Sequence, residues 1–151
     1  MKKLTAALFA VIIAFTFFGC SKKIYDADIV ADALNSGLKF GESLEKSTPE
    51  AAFSVYGIEP DLCQKAAIYL GSGATADEIA VFDCVDETAC ATVFEAVNER
   101  IEYLREGYSG YGPEEVPKID SAALITLGNT VILCICENPE KAESIAVSAA
   151  K

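Results

Sequence analysis

The chain has 151 residues, with 12 basic and 23 acidic side chains, six cysteines, no histidine and no tryptophan. A formal charge of −11 gives no electrostatic footing for binding nucleic-acid phosphates. The lack of histidine excludes Ser-His-Asp and Cys-His catalysis, histidine general bases and every histidine-containing zinc site.

Residues 1–19 read as an address rather than as part of a fold. Met1-Lys2-Lys3 is a positive start, positions 4–18 are apolar apart from Thr5 and Thr16, and Gly19-Cys20 follows at once. The run is shorter than the about 20 apolar residues a spanning helix needs, which favours a cleaved signal over a permanent span. Phe17 is the third residue before a cut after Gly19, where ordinary secretory cleavage wants a small side chain. The alternative is a bacterial lipobox, which Gly19-Cys20 resembles at its essential end, although Phe17 and Phe18 depart from its usual pattern. Cys20 is then the expected lipid attachment, with the membrane as its partner and the outer face of the cell membrane as its place. Residues 1–19 carry two basic residues and no acidic ones, so their removal takes the formal charge from −11 to −13.

Residues 20–26 form a short tether, and residues 27–151 are enough for a single domain. Asp26 is placed to cap a first helix with apolar positions Val30, Ala33 and Leu34, stopped at Gly37. Leu38, Phe40 and Leu44 suggest a weak extended segment. Thr48-Pro49-Glu50 then opens a short helix ending near Tyr56-Gly57.

Beyond this point one unit is written twice. Residues 66–70 and 78–84 are β-rich runs around a glycine loop at 71–76, and a helix is expected over 87–106. Residues 122–127 and 130–136 are two more runs joined by Gly128-Asn129, before a helix that opens at Pro139 with Asn138 as its cap. The order predicts an α+β domain: a mostly antiparallel sheet of about four strands (ββα-ββα order) with helices packed mainly on one face. Cys90, Val93, Phe94, Val97, Ile101, Leu104 and Tyr108 form the buried stripe of the long helix, with Glu95, Glu99, Glu102 and Glu106 opposite as a solvated face.

Candidate chemistry is sparse. Asp83, Asp86 and Glu87 cluster where a strand meets a helix, and capping of that helix explains them more simply than paired acid/base work. Gly71-Ser72-Gly73-Ala74-Thr75 lacks the Gly-Lys-Ser/Thr end of a phosphate loop and leads into a strand, so it reads as a hairpin connection. Besides Cys20 there are five cysteines, Cys63, Cys84, Cys90, Cys134 and Cys136, an odd number that cannot pair completely. Cys134 and Cys136 project from one face of one strand, which argues against a bond between them. The group reads as buried free thiols, with a single disulfide as the alternative. No metal and no cofactor are expected. Tyr108, Tyr111 and Pro113, with Glu114 and Glu115, make an aromatic loop beside two carboxylates, a candidate partner surface; the competing reading is a connection that covers the end of the sheet.

Several segments together resemble a known family. They are Tyr56-Gly57-Ile58, the run from Gly73 to Phe82, Arg100, Tyr111-Gly112-Pro113-Glu114-Glu115, and Gly128-Asn129 before an apolar strand. The match spans nearly all of the chain after the leader and is similar to the small lipoproteins of low-GC Gram-positive (Firmicute) bacteria that carry the domain of unknown function 4358. The resemblance implies an extracytoplasmic lipoprotein and carries no activity, substrate or catalytic residue. The expectation is therefore a membrane-anchored binding or accessory module whose partner is a protein or an envelope component. The alternative is a histidine-free carboxylate hydrolase or a thiol-redox enzyme at the cell surface.

Overall fold

A computed structural model describes residues 24–149; the expected leader over residues 1–19 and the expected lipid site Cys20 lie outside the described residues. At the first helix, α1 (Ala27–Gly37), the Asp26 carboxylate accepts the amides of Asp28 and Ile29, so the expected cap is in place. The weak extended segment reduces to a two-residue strand, β1 (Glu45–Lys46). The Thr48 hydroxyl caps α2 (Pro49–Tyr56), which ends at Gly57 with φ 64°, a left-handed conformation that glycine adopts without a Cβ clash.

The two hairpins follow as expected. β2 (Cys63–Leu70) pairs antiparallel with β3 (Glu78–Cys84). A long helix, α3 (Glu87–Tyr111), and a short one, α4 (Val116–Asp120), lead to β4 (Ala123–Leu127), which turns through Gly128-Asn129 into β5 (Thr130–Ile135). The chain closes with α5 (Pro139–Ser148), capped by Asn138. Because β5 pairs with β3, the hairpins lie side by side in a five-stranded antiparallel sheet of order β1-β2-β3-β5-β4. Among the described residues no helix is long and apolar enough to cross a membrane.

Two expectations are corrected. The sheet has five strands, since β1 pairs with the end of β2 and covers that edge with charged, exposed residues. The helices also cover both faces rather than mainly one. Ala66, Ile68, Ala80, Phe82, Val131 and Leu133 point to the layer holding α2, α3 and α4. The alternate positions Ala67, Ile79, Val81, Ile132 and Cys134 point to α1 and α5. The physical reason is legible in β3 and β5: both strands are apolar at consecutive positions and buried almost throughout, which a sheet with one wet face does not permit.

The long helix is also longer than expected, reaching Tyr111 instead of ending near residue 106. Gly107 and Gly110 sit inside it with open space around them. Each costs roughly 0.5–1 kcal/mol relative to alanine in a helix. Burial of Tyr108 one turn beyond Leu104 offsets that penalty and carries the helix to Gly112-Pro113.

Candidate functional site

The strand end that bears the β2–β3 loop is held by an unusual number of side chains. Glu42 reaches across to the loop: its carboxylate accepts the Ser72 amide at 2.8 Å, and the amide and hydroxyl of Thr75 at 3.2 and 3.1 Å. Asp77 accepts the Gly41 amide at 2.6 Å, and Glu115 accepts the Ala76 amide at 2.8 Å. The Tyr108 hydroxyl donates to the carbonyls of Thr75 and Gly73. The amides of Ser72, Thr75 and Ala76 are thus already occupied by protein carboxylates, which supports the hairpin reading of this glycine loop over a phosphate cradle.

Glu42 shows the electrostatic consequence. Hydrogen bonds from Ser72, then from Thr75, hold its carboxyl down to about 2. A carboxyl depressed in the folded state contributes stability that is present above its ordinary value near 4.5 and is lost as the pH falls toward 2. In an NMR titration the Ser72 and Thr75 amide shifts should therefore move with a midpoint near 2. A midpoint near 4.5 would mean that the carboxylate does not hold the loop in solution, and in Glu42→Gln the transition should vanish.

Adjacent residues Asp77 and Glu78 carry two buried carboxylates, each met by a cation from a different helix. Glu78, at the head of β3, takes the Arg100 fork through Nε at 3.2 Å and Nη2 at 2.7 Å. The pair is only 5% and 17% exposed. The Tyr56 hydroxyl donates to the same carboxylate. Burial raises the Tyr56 phenol well above its ordinary value, and the Glu78 charge adds to this. The Arg100 guanidinium lies 5.9 Å from the Tyr56 ring centre and 5.6 Å from that of Tyr103. Asp77 Oδ1 sits 3.1 Å from Lys118 Nζ without hydrogen-bond alignment, and Lys118 also binds Glu115 at 2.8 Å. Burial acts to lower the Lys118 ammonium, but Glu115 and Asp77 outweigh it and leave it raised.

Above this network lie two adjoining surface depressions. One, of about 270 Å³, is lined by Leu70, Gly73, Arg100, Tyr103, Tyr108 and Tyr111. The other, of about 500 Å³, is lined by Val55, Tyr56, Ala96 and Glu99 and shares Arg100 and Tyr103 with the first. Val55, Tyr103 and Tyr111 are three of the six exposed large hydrophobics among the described residues, with Tyr103 68% and Tyr111 66% exposed. The groove therefore gathers half of that apolar exposure on one side of the molecule.

The residues expected to form a partner surface are divided by the fold. Tyr108 is buried with its hydroxyl spent on the loop, and Glu115 turns inward to Ala76 and Lys118. Tyr111, Pro113 and Glu114 remain exposed, and the Tyr111 ring lies 4.8 Å from that of Tyr108. Tyr108 and Tyr111 belong to a helix instead of a loop, for the reason given above. Sequence reasoning missed Val55, Asp77, Tyr103 and Lys118 as site residues. One signal was available: charged Asp77-Glu78 directly before an apolar strand, and Arg100 three residues after Val97 and four before Leu104, on the flank of a buried helix stripe.

The fold and site together define a small three-layer α+β domain whose glycine loop and buried ion pairs form the floor of a tyrosine-walled groove. A family model described as "Domain of unknown function (DUF4358)" matches residues 39–136. The chain belongs to that family. The comparisons with curated proteins and with solved structures gave no match.

Proposed function

We propose that this chain is an exported module, anchored to the outer face of the membrane by lipid on Cys20, that binds a protein partner through the groove of Val55, Arg100, Tyr103 and Tyr111. The observation that carries this reading is the concentration of exposed tyrosine and valine over a floor of internally paired charges. Tyrosines offer large contact area with few rotatable bonds, and a rigid floor limits the ordering cost of binding. Glu99 in the groove and Glu114 beside it form no ion pair among the described residues, so the rim favours a basic segment of the partner. The buried carboxylates Asp77 and Glu78 are each engaged by a cation, a structural use that leaves them poorly placed for acid/base work on a substrate.

The test is crosslinking in intact cells, followed by intact-mass analysis of the membrane-extracted chain. Tyr103→Ala and Tyr111→Ala should each weaken partner capture by about 2 kcal/mol, roughly thirtyfold, if the groove is a binding hot spot. Their thermal midpoints should match wild type, because both rings are exposed. The recovered chain should begin at Cys20 and carry acyl chains, with two chains giving stable anchorage. Unchanged capture by both variants would overturn the binding surface, and an intact Met1 without lipid would overturn the anchor.

A further inference from the structure

The five cysteines of the domain divide between the two core layers, and one opposed pair sits at the sheet end remote from the groove. Cys63 opens β2 and Cys84 closes β3, and the two are partners in the antiparallel register, just beyond a bulge between Cys63 and Lys65. The ladder bond next to them runs from the Val85 amide to the Leu62 carbonyl at 3.0 Å, while the Cys84 amide turns away to Asn129 of the neighbouring hairpin. That pattern marks Cys63 and Cys84 as a non-hydrogen-bonded pair, the class in which opposed Cα atoms approach to about 4.5 Å and the side chains lie closest. The separation falls at the short end of the about 4.4–6.8 Å range that a disulfide spans. Both side chains also point to the α3 layer, where Cys84 is buried and Cys63 is half-buried at the margin. Cys63 has extended backbone, φ −126° and ψ 139°, so it keeps strand geometry at the end of the ladder.

We propose that Cys63 and Cys84 are a modification site at which a low-molecular-weight disulfide installs a cross-strand bridge. The more accessible Cys63 thiolate attacks the small disulfide, forming a mixed disulfide and expelling one small thiolate. Cys84 then loses its proton and attacks the Cys63 sulfur, forming the Cys63–Cys84 bond and expelling the second thiolate. Two protein thiols are oxidised by two electrons, and the small disulfide is reduced to two thiols that take up the two protons. The order of attack follows from exposure, and the closeness of the two thiols reinforces it by lowering Cys63 and raising Cys84. Cys90, on α3, also contacts Cys84 but belongs to a helix instead of the ladder, so it lacks the opposed-strand geometry.

The full chain in detergent, equilibrated with oxidised and reduced glutathione and then alkylated, provides the test. Cleavage after Lys65 and Glu87 places Cys63, Cys84 and Cys90 on separate peptides. The expected result is a Cys63–Cys84 linked peptide with the other domain cysteines alkylated. The thermal midpoint should be several degrees higher in the oxidised form, because the bridge restricts the unfolded chain. The link should persist in Cys90→Ser, whose helical thiol is not part of it. Full alkylation of Cys63 and Cys84 in excess oxidised glutathione, or a Cys84–Cys90 link in their place, would overturn the proposal.

Discussion

Arg100→Met should destabilise the domain by about 3–5 kcal/mol, the range for stranding one partner of a buried ion pair. Arg100 is the only cation bonded to Glu78 among the described residues, and the carboxylate is almost wholly removed from water. Methionine retains the aliphatic volume of the arginine stem, so the loss reports the charge and its two hydrogen bonds more than packing. The Tyr56 hydroxyl would remain as a single neutral donor. Against the about 5–15 kcal/mol that holds a typical domain folded, the loss should appear as a large fall in the urea midpoint. A double variant, Arg100→Met with Glu78→Leu, should recover much of it, because removing both charges leaves no unpaired ion and apolar replacement of a buried pair is often neutral. Arg100→Lys should rescue only in part, since an ammonium cannot span both carboxylate oxygens in the side-on geometry. An unchanged midpoint for Arg100→Met would show that Glu78 is hydrated in solution.

Val97→Asp should be as damaging. Val97 is fully buried on the α3 face that packs against β3 and β5, in the same core as Phe82, Val93 and Leu104. The nearest cation along α3, Arg100, is already held by Glu78, and burial of a carboxylate without a partner costs several kcal/mol even after the group takes up a proton. Loss of the cooperative thermal transition, or a fall in its midpoint by tens of degrees, is the expected measurement. Glu95→Lys, two residues earlier and exposed, should change stability by no more than about 0.5 kcal/mol and serves as the control. Equal stability of both variants would mean that the buried stripe of α3 is not the one seen in the fold.

Much of the local architecture was legible because it depends on near neighbours. Asp26, Thr48, Asp86 and Asn138 each accept an amide of the helix they precede, as residues of those types do at an N-cap. Gly128-Asn129 makes the two-residue turn between β4 and β5, and the i, i+3, i+4 pattern from Cys90 to Tyr108 matches the inward face of α3. Period and caps are properties of a short window of sequence, so composition and spacing suffice to determine them.

Contacts between distant residues required the fold. β1 is two residues long and has no periodicity of its own; it becomes a strand by pairing Glu45 with Leu70 and Lys46 with Tyr69. The two-sided burial of β3 and β5 follows from α1 and α5 reaching the face opposite α3, and helix placement across a sheet is not a local property. The same applies to the site. Tyr56, Glu78 and Arg100 are separated by 22 residues at each step and meet through three different elements, while Glu42 and Glu115 close on the loop from 30 or more residues away. By itself the amino-acid sequence determined the helix caps, the hairpin turn, the amphipathic face of α3 and the acidity of the chain. Only tertiary structure decided which carboxylates are buried and paired and which tyrosines face water, because desolvation depends on neighbours brought together from remote parts of the chain.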